Sequence, residues 1–116
     1  MNVKIEARNA EISRRSEEWI ERRLRFALGR FGDRVRLAVV RLADLNGPRG
    51  GEDQHCRIEV SLVPSGSIMA EATDAEIELA VSRAAERVTR RIRDALDRRR
   101  TLRTRTTTPR ETDDLA

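Results

Sequence analysis

Arginines at positions 83, 87, 90 and 98 recur at spacings of four, three and eight. Residues three and four apart share one side of a helix, so these four form a stripe, interrupted by Asp94 and bordered by Arg91. Upstream, Arg15, Arg22 and Arg30 recur at seven and eight, with Arg23 beside them and Trp19 and Phe26 in the same stripe. A guanidinium is a planar fork of donors that matches phosphate oxygens. Two such stripes side by side would grip a polyanion, and each neutralised phosphate would release counterions, so binding would weaken steeply with salt. The candidate RNA-contacting residues are therefore Arg22, Arg23, Arg30, Arg83, Arg87, Arg90, Arg91 and Arg98. The alternative is a solvated helix face laced with i,i+4 pairs, a pattern that Glu86–Arg90 and Asp94–Arg98 fit.

The distribution of charge favours the first reading. The whole chain of 116 residues carries a net charge of only +4. Residues 14–36 hold eight Arg against four acids, and residues 75–105 hold ten against five. The segment between them, 37–74, has three Arg and six acids. A mild total built from two strongly basic segments is the mark of a polyanion binder.

Other chemistry has little to work with. One His (His55) and one Cys (Cys56) cannot build the usual zinc site. Any Ser-His-acid triad would have to use His55, and no motif surrounds a serine to support it. GxGxxG and GxxxxGK[ST] phosphate loops are absent. An enzyme is not expected, nor are a cofactor, a metal or a small-molecule substrate. A single cysteine rules out an internal disulfide and points to a reducing compartment. No apolar run reaches the ~20 residues of a bilayer span, and Met1–Arg8 lacks an apolar signal core. The expected location is the cytoplasm, away from membranes.

Hydrophobic periodicity shows what must position the arginines. Val3, Ile5 and Ala7 alternate with polar residues and predict a short strand. Ser13 can cap a helix over about 14–31, whose apolar face is Ile20, Leu24, Ala27 and Phe31, ended near Gly32. A second strand follows at about 34–43, in which Val35, Leu37 and Val39 alternate with Arg36 and Ala38. The stretch Asn46–Asp53 is a turn-rich loop whose glycine amides could hold an anion, though a plain connection is the simpler reading. Cys56, Ile58, Val60 and Leu62 mark a third strand over about 54–63; Ile68, Ala70 and Ala72 mark a fourth. Thr73 or Asp74 can cap a long helix over about 75–100, fraying to 104, with Ile77, Val81, Ala84, Val88, Ile92 and Ala95 inward. A polar, aperiodic tail over 105–116 is expected to be disordered.

The predicted order is β-α-β-β-β-α, an α+β fold in one domain over 1–104. Each helix has a single apolar stripe, so both must cover the same face of a four-stranded sheet. This is the layout of a double-stranded-RNA-binding domain with an extra leading strand. The strands contain none of the three aromatics, Trp19, Phe26 and Phe31. A base-stacking sheet platform is thus not expected, and a bound RNA would be structured and held by its backbone. Trp19 and Phe26 are expected to pack between the helices, Cys56 to be a small buried residue, and His55 to lie on the opposite, open face.

The order and spacing of several short pieces resemble the ribosome hibernation-promoting factor and ribosome-associated inhibitor family, also called the sigma-modulation or ribosomal-subunit-interface family. These are Val3-x-Ile5, Glu11-Ile12-Ser13, Trp19-Ile20, Arg22-Arg23-Leu24, Arg30-Phe31, Asp33-Arg34-Val35, Ile68-x-Ala70-x-Ala72 and Ile77-x-x-Ala80-Val81. The resemblance covers about residues 1–100. It implies binding to the 30S ribosomal subunit, alone or within the 70S ribosome, in the cleft between head and body. There the protein would contact 16S rRNA, overlap the mRNA and tRNA paths, and inhibit translation in stationary or starved cells. By the same resemblance Arg22, Arg23 and Arg30 match basic or surface positions of the first helix, and Arg83, Arg87, Arg90 and Arg91 fall in the basic stretch of the last. Phe26 stands where the family commonly has Lys, Ser16 where it has Leu, and Glu78 and Ser82 where it has Tyr and Asp. The competing expectation is a protein-interaction module without RNA, a homodimer pairing edge strands or a docking face on the acidic segment 37–74.

Overall fold

The computed structural model describes residues 1–8, 12–45 and 53–107. Within them β1 (Asn2–Arg8) leads into α1 (Arg14–Leu28), a 3₁₀ turn (Gly29–Arg34), then β2 (Val35–Asp44), β3 (Gln54–Leu62), β4 (Ser67–Asp74) and α2 (Ile77–Thr107). The α+β order β-α-β-β-β-α is the one that periodicity predicts. The strands lie in the sheet in chain order. β1 runs parallel to β2, which α1 makes possible as the crossover. β2, β3 and β4 form the expected antiparallel meander.

Local chemistry sets most boundaries. The Ser13 side chain accepts from the Ser16 amide at 3.1 Å, the N-cap bond expected there. Asp74 Oδ1 accepts from the Glu76 amide at 3.3 Å and turns the chain into α2. α1 stops three residues short of the predicted end. The chain tightens into the 3₁₀ turn and reverses at Gly32, whose φ of 56° lies in the left-handed region that glycine tolerates. α2 instead overruns its predicted end and reaches Thr107. The tail beyond it and the glycine-rich loop, apart from Asp53, lie outside the described residues.

Both helices bury their stripes on one sheet face. The core joins Ile20, Leu24, Ala27 and Leu28 of α1, alternate residues of the strands, and Ala80, Val81, Ala84, Ala85, Val88 and Ile92 of α2. Four alanines in the buried stripe of α2 (80, 84, 85 and 95) and two in β4 (70 and 72) let that helix sit close over β3 and β4. α1 lies beside it, toward β1. The β2 phase differs from expectation. A register shift between Val35 and Leu37 breaks the alternation, so Val35, Ala38, Val40 and Leu42 are buried while Leu37 and Val39 turn to the open face.

Cys56 is fully buried on β3. Burial pushes its thiol from an ordinary 9.0 up to about 12. The thiol therefore adds stability that is complete below about pH 9 and is lost as pH rises toward 12. Between pH 8 and pH 10 this linkage costs the wild type about 1.4 kcal/mol. Urea titrations at the two pH values should show that loss, and Cys56→Ala should remove it.

Candidate nucleic-acid interface

Between the outer flanks of α1 and α2 runs a cleft of about 290 Å³. α1 contributes Arg23, Phe26, Ala27 and Arg30; α2 contributes Ala85, Glu86, Thr89, Arg90 and Arg93. It continues into a hollow of about 260 Å³ lined by Phe31 and Arg34 from the 3₁₀ turn and by Arg93, Leu96, Asp97 and Arg100. Six arginines thus border one trough that contains two carboxylates, Glu86 and Asp97. Arg100 pairs with Asp97 at 3.0 Å. Among the described residues the guanidinium groups of Arg23, Arg30, Arg34, Arg90 and Arg93 have no ion pair. Like charges gathered without partners repel one another and raise a positive potential that an anion would relieve.

The arginine stripe expected along α2 divides between two flanks. Arg90 faces the cleft, with Arg23 and Arg30 from α1. Arg83, Arg87, Arg91 and Arg98 lie on the other flank, over the free edge of β4. There Arg83 pairs with Asp74 at 3.3 Å. Arg87 donates to the Glu71 carbonyl at 2.6 Å and Arg91 to the Met69 carbonyl at 2.5 Å. Arg98 lines a hollow there with Arg91, Asp94 and residues 67–69. The cause is the position of α2. It lies over an edge strand whose outward carbonyls have no ladder partner, and side chains four apart on its outer flank reach down to them. Arg99 makes the same kind of contact with the Ser65 carbonyl at 2.6 Å, across Gly66. A Cβ on Gly66 would meet that guanidinium at 2.7 Å, and its φ is 98°. Arg22 is exposed on α1 and does not line the cleft.

Two features of the cleft depart from the sequence reading. Phe26 does not pack between the helices; it is 83% exposed at the cleft. Trp19 does pack against the core. Arg93, absent from the candidate set, borders both hollows. Its signal was its place three residues after Arg90, on the side facing α1.

The open sheet face mixes charges of both signs. Arg41 sits between Glu6 and Glu59, at 3.1 Å from each. The hydrogen bonds it donates to Glu59 and then to Glu6 raise its pKa. His55 Nε2 lies 2.6 Å from Glu71 Oε1. A hollow of about 490 Å³ beside them is lined by Glu6, Arg8, Arg41, His55 and Arg57 among others, so both signs are present. Among the described residues no group of side chains could hold a metal ion, and no helix is long and apolar enough to cross a membrane. Lys4, Arg8 and Arg57 on this face also lack ion pairs among the described residues, but they are interspersed with Glu6, Glu59 and Glu71, whereas the cleft gathers its arginines between two helices.

Comparison with known proteins agrees with this geometry. The N-terminal domain of Protein Y from Thermus thermophilus shares 27% identity with the chain at a TM-score of 0.66, over 79% of this chain and 96% of that one. A ribosomal subunit interface protein from Coxiella burnetii has the same fold, with a TM-score of 0.69 at 15% identity over 84% of this chain and 99% of that one. Among curated protein sequences none matches. The family model described as "Sigma 54 modulation protein / S30EA ribosomal protein" matches residues 3–100. A match across nearly all the described fold, arginine cleft included, identifies the chain as a member of the sigma-54 modulation and S30EA ribosomal protein family, that of the ribosomal subunit interface proteins and hibernation-promoting factors.

Proposed function

We propose that this protein is a cytoplasmic, ribosome-associated translation inhibitor. Its unit over 1–104 binds the 30S subunit, alone or within the 70S ribosome, through 16S rRNA, and occludes the mRNA and tRNA paths under stress. The observation that carries this reading is the α1–α2 cleft, where Arg23, Arg30, Arg90 and Arg93 converge without ion-pair partners. The helices fix the backbone positions of these arginines, so their forks need to order only locally around a phosphate. Arg22 and Arg34 extend the contact to either side. Arg83, Arg87 and Arg91 serve mainly to cover β4, and with its carbonyls so occupied that edge has few acceptors for a second strand. A dimer built by pairing there is disfavoured.

The test is co-sedimentation with purified 30S and 70S particles at several salt concentrations, alongside a translation assay in vitro. Four phosphate contacts give a log–log salt slope of roughly −3. Raising salt from 50 to 200 mM should then weaken binding roughly 50- to 150-fold. Translation should fall in parallel with occupancy, and added initiator tRNA and mRNA should compete. Failure to bind 30S at low salt, or binding indifferent to salt, would overturn the proposal.

A further inference from the structure

Two features of the cleft are unexplained by a grip on phosphates alone. Phe26 presents its ring to solvent, 83% exposed, among arginines. An isolated exposed aromatic is unremarkable, but this one stands at the mouth of a preformed cleft. Thr89 supplies the second feature. It lines the same cleft, is 9% exposed, and its Oγ1 has no hydrogen-bond partner. A helical threonine ordinarily returns its hydroxyl to the carbonyl one turn back, and buried polar groups are nearly always satisfied. This enclosed hydroxyl, just beneath the floor of a positively charged cleft and near an exposed ring, is an unmet hydrogen-bonding group beside a set of donors and a stacking surface.

We propose that the cleft takes a single unstacked nucleotide, with its base on Phe26 and its flanking phosphates on the arginines. The Thr89 hydroxyl, enclosed in the free protein, turns about χ1 to reach the sugar or the base edge. Glu86, the one carboxylate of this cleft, accepts from an exocyclic amino group. The volume of about 290 Å³ sits at the low end of the ~300–1,000 Å³ of small-molecule pockets, so one nucleotide fills it. This deepens the RNA-binding reading and rests on it: the backbone is gripped, and one extruded base is also recognised by stacking. A free nucleotide has the same chemistry and is the other source to separate.

The experiment uses two short RNA hairpins that differ only in one bulged position, an adenine in one and an abasic sugar in the other. Affinities are measured by anisotropy. The wild type should prefer the adenine bulge about tenfold, within what base stacking on an aromatic supplies. Phe26→Ala should abolish that preference and Phe26→Trp should keep it. Thr89→Val should weaken binding of the adenine bulge severalfold while raising the melting temperature by a few degrees, since it deletes a buried, unpaired hydroxyl. Equal affinity for both hairpins, or a preference that survives Phe26→Ala, overturns the stacking site. If 30S co-sedimentation persists in that case, the ribosome reading stands alone; if the wild type binds neither hairpin, nor 30S, nor adenosine 5′-monophosphate, both fall. Adenosine 5′-monophosphate, titrated alone and found to bind in a Phe26-dependent way while the adenine hairpin does not, would support the nucleotide site and assign it to the free pool.

Discussion

The double reversal Arg90→Glu with Arg93→Glu should weaken binding to the 30S subunit by at least about 100-fold at 100 mM salt, and flatten the salt slope by roughly 1.5–2. Two phosphate contacts are lost and two carboxylates face the remaining arginines and the bound backbone. Arg87→Glu with Arg91→Glu is the matched comparison. Each double reversal takes the net charge from +4 to zero, so the protein's overall attraction to RNA falls equally. Only position differs. The second pair loses its bonds to the Glu71 and Met69 carbonyls and places acid against the β4 edge. It should lower thermal stability and reduce 30S affinity about tenfold or less. Sedimentation titrations of both variants decide the matter. Equal losses would mean that net charge, and no particular cleft, governs association.

That comparison also shows how far the sequence could be read. Arg87 and Arg90 lie on one predicted stripe, with Arg91 at its border, because helical spacing reports the angle around an axis and nothing about what lies on either side of it. Whether Arg90 meets α1, and Arg87 meets the sheet edge, depends on where α2 rests across β3 and β4. That placement depends on how the small buried side chains of β4 and α2 fit together in space, which spacing along either element does not report. The elements themselves were legible, since most have a regular apolar period and each helix has a capping residue, Ser13 or Asp74. Where the period broke, the reading slipped. The register shift after Val35 moved Leu37 and Val39 to the open face, and a run of apolar residues through Val40 gives no local sign of it. Phe26 was misplaced for a related reason: it lies off the buried stripe of α1, so its cover depended on where α2 rests, and it is left 83% exposed.

α1 holds half of the cleft, and apart from a bond of 3.2 Å from Arg25 to the Met1 carbonyl, packing holds α1. Unlike a strand it has no ladder to its neighbours; four buried side chains, Ile20, Leu24, Ala27 and Leu28, anchor it. Leu24 is fully buried at the middle of that stripe. Leu24→Ala should cost ~2–3 kcal/mol, the lower part of the range for such truncations, because α1 can shift to close part of the cavity. Ile58→Ala is the contrast. Ile58 is equally buried, but β3 is fixed by ladders to β2 and β4, so the cavity persists and the cost should approach ~4–5 kcal/mol. Binding should rank the other way. A shifted α1 carries Arg23, Phe26 and Arg30 out of line with Arg90 and Arg93, so Leu24→Ala should lose about tenfold in 30S affinity after correction for the folded fraction. Ile58→Ala, less stable, should bind as the wild type does while it stays folded. Urea melts and co-sedimentation at 15 °C give both quantities, and affinity that simply tracks stability across the two variants would show that the spacing between α1 and α2 does not set the site.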